Sequence, residues 1–184
     1  CCSVLMNLNK KLNNQLIQIA DIIAYSFTNK KRAIYVGSTK IYNLGDEAVL
    51  FTARKLLKQY YLLDVGYQMG FIMRFFIKKI AKRPSLIILG GGTLIKKDAS
   101  SGFLRKINKL MNIWPGVKII TFGTGTVDVK LAELTQFPIN FSHWKIFFEK
   151  CDQILVRGPL TKKFIQKLNI SKQASVIGDP AIYY

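Results

Sequence analysis

The sequence is poor in histidine, cysteine and acidic residues, and each shortage excludes a kind of site. It contains one histidine and three cysteines, at positions 1, 2 and 151, which supply neither a disulfide framework nor the ligand spacing of a zinc site. No Ser/His/Asp order, close carboxylate pair or HExxH motif is present, so hydrolase mechanisms that rest on these groups find little support. We therefore expect no metal site in this protein.

Long apolar runs are missing as well. The longest ones, such as Leu86–Leu89 and Ile154–Val156, have the length of a strand and fall far short of the ~18 to 20 residues that cross a bilayer. The first residues do not combine a basic segment with a following apolar one, so nothing predicts a secretory signal. We expect a cytoplasmic protein.

The shortage of acidic residues makes the chain strongly basic. Ten acidic residues stand against 28 basic ones, which gives a formal charge of +18. Such a charge attracts phosphate-rich partners, whether nucleic acid, an anionic membrane surface or acidic small molecules. The excess also has a compositional interpretation, because lysine, isoleucine and asparagine are frequent along the whole chain, as AT-rich coding produces.

Apolar side chains are abundant enough for the core of a globular domain. The chain has 184 residues, 49% of them hydrophobic, and short β-branched runs alternate with segments of helical period. This alternation predicts βαβ units and a mainly parallel sheet. We divide the chain into an amphipathic amino-terminal extension, residues 1–29, and an α/β domain, residues 30–184. The extension is expected to pack on the domain or on a partner through an apolar helical face formed by Leu12, Leu16, Ile19, Ile23 and Phe27.

Six strands are expected in the domain, with helices between them. The strands are Ala33–Val36, Tyr61–Val65, Ser85–Leu89, Val117–Phe122, Gln153–Val156 and Ala174–Ile177. The helices begin near Asp46, near Met69, near Gly102 and at Pro159, where proline suits the first helical turn. The last helix is expected to bury Leu160, Phe164, Ile165 and Leu168.

Four of these strands are expected to end in glycine at a strand-to-helix turn, and the carboxyl ends of parallel strands line the crevice where ligands bind. Gly90-Gly91-Gly92-Thr93 is the strongest local signal, because residues without a Cβ let backbone N–H groups approach an anion and the threonine adds a donor. Gly123-Thr124-Gly125 follows the next strand. The first run lacks the Lys-Ser/Thr of a P-loop and the spacing of a dinucleotide fingerprint. A tight strand-to-helix connection is therefore the alternative interpretation.

Polar side chains lie at the same expected edge, and each has a structural alternative. Asp46 either caps the helix after the first strand or faces the crevice with Asn43 as an acid/base group. Arg157 either holds a carboxylate or phosphate with its planar fork or lies on the surface. Asp179 either contacts substrate or binds its own backbone in a turn.

Five motifs follow one another along the chain: Asn43-x-Gly45-Asp46-Glu47-Ala48, Gly90-Gly91-Gly92-Thr93, Gly123-x-Gly125, Val156-Arg157 and Gly178-Asp179-Pro180-Ala181. Together and in this order they resemble the polysaccharide pyruvyl transferase family. The resemblance extends over about Ile34 to Ala181. In two places the chain departs from the family pattern: Gly158 replaces an acidic residue, and Thr126-Val127 stands where a proline is common.

The resemblance implies a doubly wound, mainly parallel α/β domain, the amino-terminal Rossmann-like half of an architecture similar to GT-B glycosyltransferases. It implies an enzyme that transfers a pyruvyl group from phosphoenolpyruvate, without a cofactor, to a sugar of a cell-surface polysaccharide. Asp46 would be catalytic and Arg157 would hold an anionic group. The other substrate-binding residues would be Asn43, Gly45, Gly90, Gly91, Gly92, Thr93, Gly123, Gly125 and Asp179.

The partners implied are a glycan or a lipid-linked sugar as acceptor, and no nucleic acid. The alternative function is a non-catalytic or GT-B-like module that binds a nucleotide sugar or another anion. The second half of the family architecture is not among these 184 residues, so a truncated, inactive fragment belongs to that alternative.

The segment from Met69 to Arg83 is basic and amphipathic, and it has two interpretations. Phe71, Phe75 and Phe76 can share a broad helical face that packs on the sheet. The same pattern equally fits a helix that rests on an anionic bilayer with its apolar face in the headgroup region. We therefore consider a peripheral contact with the cytoplasmic face of the membrane, where the resemblance implies lipid-linked acceptors.

Overall fold

Short apolar strands alternate with helices along the chain, and the strands form one sheet. The computed structural model describes residues 2–39, 43–66, 71–95, 102–127, 134 and 141–183. The helices are α1 (Cys2–Phe27), α2 (Leu44–Leu56), α3 (Phe71–Lys79), α4 (Phe103–Ile113), α5 (Phe141–Lys150), α6 (Pro159–Lys167) and a 3-10 helix at Pro180–Tyr183. The strands are β1 (Lys31–Val36), β2 (Tyr60–Asp64), β3 (Leu86–Leu89), β4 (Gly92–Ile95), β5 (Lys118–Thr126), β6 (Gln153–Val156) and β7 (Ala174–Val176).

The seven strands form a sheet of order β2-β1-β3-β5-β6-β7, with β4 paired to β5. Each described pair of strands is parallel. The chain passes from β1 to β2 on one side and then returns to β3 on the other, which makes the β1/β3 gap the switch point where a doubly wound sheet opens a crevice. The predicted Rossmann-like α/β fold is confirmed.

Side chains alternate between the two faces of the sheet, as strand geometry requires. In β1, Ala33 and Tyr35 join the apolar cluster under α2. Ile34 and Val36 point to the opposite face and join the larger cluster, to which α1, α3, α4 and α5 contribute. All four residues of β3 are buried, as expected for a central strand covered on both faces.

The glycine runs do not form the expected strand-to-helix turns, and this part of the prediction is wrong. After β3 the chain bends at Gly90 and Gly91 and re-enters the sheet as β4. The strand β5 continues through both of its glycines, because Thr124 and Gly125 pair with the first two residues of β4. Gly123 has φ +65 and lies at a register shift, so it forms a bulge at which β5 leaves β3 and joins β4.

The helix α1 packs on the domain through a different face from the predicted one. Leu16, Ile23 and Phe27 are exposed, whereas Ile22 and Tyr25 are fully buried in the larger apolar cluster. The helix carries apolar side chains on two faces, and the buried face is the one that places the Tyr25 ring edge-on against Tyr61, with 6.1 Å between centroids. The side chain of Leu12 lies outside the described residues.

The first turn of α6 corrects a second prediction about helix faces. Phe164, Ile165 and Leu168 are buried as expected, but Leu160 is exposed. Thr161 takes the inward position instead, and its Oγ1 accepts a hydrogen bond of 3.1 Å from the backbone N–H of Thr126. The helix start is thus fixed to the end of β5 by a polar contact that apolar periodicity does not predict.

A buried polar cluster lies beyond β2. Thr39 Oγ1 donates to both carboxylate oxygens of Asp64, at 2.8 and 2.9 Å, and the N–H of Gly66 donates to the same carboxylate at 2.8 Å. Lys106 Nζ of α4 donates to the Gly66 carbonyl. Burial lowers the pKa of Lys106 to about 8, and the Asp64 carboxylate opposes this shift. The cluster joins the loop after β1, the loop after β2 and α4.

Titration of Lys106 should make the protein more stable as the pH rises. Between pH 8 and 10 the folded protein releases the Lys106 proton while the unfolded chain still holds it, so the free energy of unfolding gains up to about 1.4 kcal/mol per pH unit. Urea unfolding of the wild type and of Lys106→Met, which has no titrating group, should show their difference growing across this window. Parallel pH profiles for the two proteins would contradict the assignment.

Candidate functional site

A cavity of about 430 Å³ opens at the carboxyl ends of the central strands. It lies at the β1/β3 switch point, bounded by the loop after β1, the start of α2, β4, the end of β6 and the turn after β7. Seven predicted site residues line it: Asn43, Gly45, Asp46, Gly92, Thr93, Arg157 and Asp179. The other lining residues are Ser38, Val49, Leu94 and Ala181.

The start of α2 fixes the position of Asp46. Asn43 is the N-cap of the helix, because its Oδ1 accepts a hydrogen bond of 3.1 Å from the N–H of Gly45. The interpretation of Asp46 as the cap is therefore wrong. Asp46 lies in the first helical turn with only 8% of its surface exposed, and Asn43 Nδ2 donates to its Oδ2 at 2.8 Å. Asn43 thus caps the start of the helix with its side-chain oxygen and orients the Asp46 carboxylate with its side-chain nitrogen.

The glycine run after β3 forms the platform on which this helix rests. At each of the three glycines, a side chain from another element occupies the space where a Cβ would lie. An ideal Cβ on Gly91 would come within 2.6 Å of Val49 Cγ1, far closer than two carbons approach. The three neighbours are Tyr35 at Gly90, Val49 at Gly91 and the Asp46 carboxylate at Gly92.

Backbone hydrogen bonds of this platform are directed into the fold. The N–H of Gly90 donates to the Val36 carbonyl at 2.8 Å, and the backbone of Gly91 bonds the Tyr35 hydroxyl, whose pKa is raised mainly by burial. Thr124 Oγ1 donates to the Gly90 carbonyl at 2.8 Å. These bonds hold the bend between β3 and β4. Four of the described glycines that the sequence pointed to lie outside the cavity lining, namely Gly90, Gly91, Gly123 and Gly125.

Arg157 crosses β5 at a position where the strand has no side chain. Its guanidinium atoms would lie 3.1 to 3.3 Å from a Cβ on Gly125, so this glycine lets the arginine lie flat over the strand and reach β4. There Nη2 donates to Thr93 Oγ1 at 3.2 Å. On the other side, Nη1 pairs with Asp179 Oδ2 at 3.5 Å, and 36% and 38% of the two side chains remain exposed.

Asp179 forms the turn that one of its two interpretations predicts, and it also pairs with Arg157. Its Oδ1 accepts a hydrogen bond of 3.1 Å from the N–H of Ala181, which is the turn-forming role. Its other oxygen pairs with Arg157 at the cavity. The turn after β7 is thereby connected to the guanidinium, and the guanidinium is connected to Thr93 of β4.

The cavity therefore combines two kinds of polar surface. The Arg157 guanidinium and the Thr93 hydroxyl can donate to a carboxylate or phosphate. Asp46 and Asn43 provide acceptor and amide groups of the kind that bind hydroxyls. Among the described residues, no group of three histidine, cysteine, aspartate or glutamate side chains is placed to hold a metal ion.

The order of the motifs along this cavity has a counterpart in a known family. The family model described as polysaccharide pyruvyl transferase matches residues 43–184, a span that contains each predicted site residue. The chain belongs to the polysaccharide pyruvyl transferase family. No curated protein and no solved structure matches the chain. Family membership identifies it as a transferase.

Four residues that line the cavity of this family member are not among the predicted site residues. Ser38 follows Gly37 at the carboxyl end of β1, so the rule that selected the other strand ends applies to it as well. Val49 has the helical spacing of the apolar side chains of α2, and it both contacts the platform and lines the cavity. Leu94 and Ala181 carry no polar signal that would single them out.

Two residues of reactive types, Cys151 and His143, lie outside this lining. Cys151 is fully buried, and burial raises the pKa of its thiol to about 12, which makes it a poor nucleophile. His143 is exposed on α5. Neither residue belongs to the described cavity.

The contact between α2 and the platform can be tested by a double-mutant cycle. Gly91→Ala places a methyl group against Val49 and should destabilise the protein by about 2 kcal/mol. In a Val49→Ala background the two closest contacts are removed and only the Gly123 carbonyl oxygen, at 3.3 Å, remains, so the same change should cost at least about 1 kcal/mol less. Gly158→Ala, where a Cβ meets nothing within 4 Å, is the matched control in urea unfolding. Additive costs would contradict the contact.

The double contact of Arg157 predicts anion binding that depends on the guanidinium. Arg157→Lys keeps the charge but cannot contact Thr93 and Asp179 together, so the affinity for inorganic phosphate should fall about tenfold or more. Arg105→Lys, an exposed position on α4, is the matched control. Calorimetric titration with phosphate measures both variants. Equal affinities for wild type and Arg157→Lys would show that another group binds the anion.

Proposed function

We propose that the protein transfers the pyruvyl group of phosphoenolpyruvate to a sugar of a cell-surface polysaccharide and forms a pyruvate ketal. One observation carries the proposal: a buried carboxylate that an asparagine orients and a half-exposed guanidinium line the same cavity. The reaction needs a site for the sugar acceptor and a site for the anionic donor, and the two groups have the chemistry for these tasks. Membership of the polysaccharide pyruvyl transferase family supports the reaction type.

The transfer forms two carbon–oxygen bonds and breaks one. Two hydroxyl oxygens of the sugar bond to C2 of phosphoenolpyruvate, and the bond from C2 to the bridging oxygen breaks, so inorganic phosphate leaves. Of the two hydroxyl protons, one ends on the methylene carbon, which becomes a methyl group, and the other on the phosphate. The products are the ketal and hydrogen phosphate, with no change in net oxidation state. The reaction accordingly needs no redox cofactor.

Asp46 is the catalytic residue in this proposal. Protonation of the methylene carbon places positive charge on C2, and a nearby carboxylate stabilises an oxocarbenium ion of this kind. Asp46 is buried, so its charge acts through a medium of lower dielectric constant than water. Asn43 holds one carboxylate oxygen at 2.8 Å and keeps the group oriented towards the cavity.

Arg157 orients the donor in this proposal. The carboxylate and the phosphate of phosphoenolpyruvate are both anionic, and the guanidinium with the Thr93 hydroxyl provides directed donors for either group. Asp179 holds the opposite side of the guanidinium and limits its rotation. The acceptor is a glycan or a lipid-linked sugar, and we place the reaction in the cytoplasm.

Loss of the Asp46 charge should lower transfer without unfolding the protein. Asp46→Asn keeps the size of the side chain and leaves the Asn43 cap in place, so unfolding should change little, whereas turnover should fall about 100-fold or more. Glu47→Gln, a neighbouring carboxylate outside the cavity lining, is the matched control. The assay measures the phosphate that the full-length protein releases from phosphoenolpyruvate when methyl hexopyranosides are present as acceptors. Proton NMR detects the methyl group of the ketal.

Three outcomes of this assay are distinguishable. Ketal formed by the wild type and by Glu47→Gln but not by Asp46→Asn supports the proposal. Ketal formed equally by Asp46→Asn would remove Asp46 from the catalytic role and leave the reaction in place. Failure of the wild type to form ketal, combined with binding of a nucleotide sugar in calorimetry, would favour the non-catalytic module.

A further inference from the structure

A stripe of apolar side chains runs along α1 on the side that faces away from the core. Leu16, Ala20, Ile23 and Phe27 follow one another at spacings of three and four residues, and all four are exposed. The exposed fractions reach 57% at Leu16 and 75% at Phe27. The eleven helical steps from Leu16 to Phe27 span about 16 Å. An uninterrupted apolar stripe of this length on the surface marks an interaction site.

Lysines lie beside one end of this stripe. Ser26 Oγ donates to the Ile80 carbonyl at 3.1 Å, which brings the end of α1 against the end of α3. Lys82 Nζ lies 5.8 Å from the centre of the Phe27 ring, within reach of a cation–π contact. On α3, Lys78 and Lys79 are exposed. We call the apolar stripe and these three lysines the α1–α3 surface.

The exposed aromatic side chain of α3 extends the same pattern. Phe75 is 53% exposed and stands one helical turn before Lys78 and Lys79, so it shares their side of the helix. Ile77 is fully buried on the opposite side. The side chain of Phe71 lies outside the described residues. The interpretation in which the phenylalanines of this segment all pack on the sheet is therefore wrong for Phe75.

We propose that the α1–α3 surface docks the protein on an anionic lipid bilayer. Exposed leucine, isoleucine and phenylalanine side chains beside lysines are the combination that places a helix in the headgroup region of such a membrane. Each lysine near an anionic surface contributes about a fivefold increase in partitioning. A second copy of the chain is a poor occupant, because its own formal charge of +18 repels the same lysines.

The helix already has the arrangement that surface binding requires. Its buried face, with Ile22 and Tyr25, holds it on the domain, so its apolar stripe is displayed without any rearrangement. Among the residues that the structure describes, no helix has the length and hydropathy to cross a bilayer. The contact proposed is therefore one that lies on the membrane surface and does not enter the hydrocarbon core as a span.

Vesicle binding tests the charge component of this proposal. The protein should co-sediment with vesicles of phosphatidylcholine and phosphatidylglycerol at low salt, and should dissociate as salt screens the lysines. Replacing three lysines of the surface should lower the partition coefficient about 100-fold. The variant is Lys78→Gln, Lys79→Gln and Lys82→Gln together; the matched control removes the same charge from the exposed side of α6 with Lys162→Gln, Lys163→Gln and Lys167→Gln.

A second pair of variants tests the apolar component. Leu16→Ser with Ile23→Ser should lower binding at least about tenfold, because two exposed side chains no longer enter the headgroup region. Leu56→Ser with Leu160→Ser changes two leucines of similar exposure on α2 and α6 and should bind as the wild type does. Circular dichroism verifies that each variant is folded, which is expected because all of these side chains are exposed.

Several results would overturn the proposal. These are no binding to acidic vesicles at low salt, equal binding to pure phosphatidylcholine, and equal losses in the surface variants and their controls. Light scattering that shows a concentration-dependent dimer, lost in Leu16→Ser with Ile23→Ser, would instead assign the stripe to a second copy. The readout is lipid binding, so its outcome is independent of the proposed transfer reaction.

Discussion

The absence of side chains at three consecutive positions is the constraint on which the site depends. The bend between β3 and β4 brings the backbone so close to side chains of β1 and α2 that a Cβ at any of the three positions would overlap them. One of those elements is α2, whose first turn carries the buried carboxylate. The glycines therefore set the distance between helix and sheet, and with it the position of Asp46 in the cavity. A longer contact distance would move α2 outward and widen the cavity at the switch point.

Much of the fold follows from sequence patterns, because buried parallel strands are short, apolar and β-branched. The stretches Ile87–Leu89 and Ile154–Val156 carry this signal without ambiguity. The helix α5 was missed, although Trp144, Phe147 and Phe148 have helical spacing and are buried. Its sequence is rich in aromatic residues, which have only moderate helix propensity. The spacing of the apolar side chains was therefore the one feature that could have predicted this helix.

The cavity residues were found because their chemistry and chain position agree, and the remainder depended on tertiary contacts. Asn43 and Arg157 have polar groups at strand or helix ends, which local sequence reveals. Whether a glycine run turns into a helix or continues as a strand is decided by what packs against it, here Tyr35 and Val49 from distant elements. Tertiary contacts also determine which face of α1 is buried. Two faces of the helix are apolar, and the buried one is the face that contacts Tyr61.

The α1–α3 surface and the cavity lie at opposite edges of the sheet. Phe27 leads into β1 and Lys82 leads towards β3, so both lie near the amino ends of the strands, whereas the cavity lies at the carboxyl ends. The six residues of β1 separate these edges by about 20 Å, roughly twice the distance over which physiological salt screens a charge, ~8 Å. These lysines therefore lie at the far edge of the sheet from Asp46. The guanidinium of Arg157 does line the cavity, and its charge there is partly offset because the Asp179 carboxylate lies 3.5 Å from it.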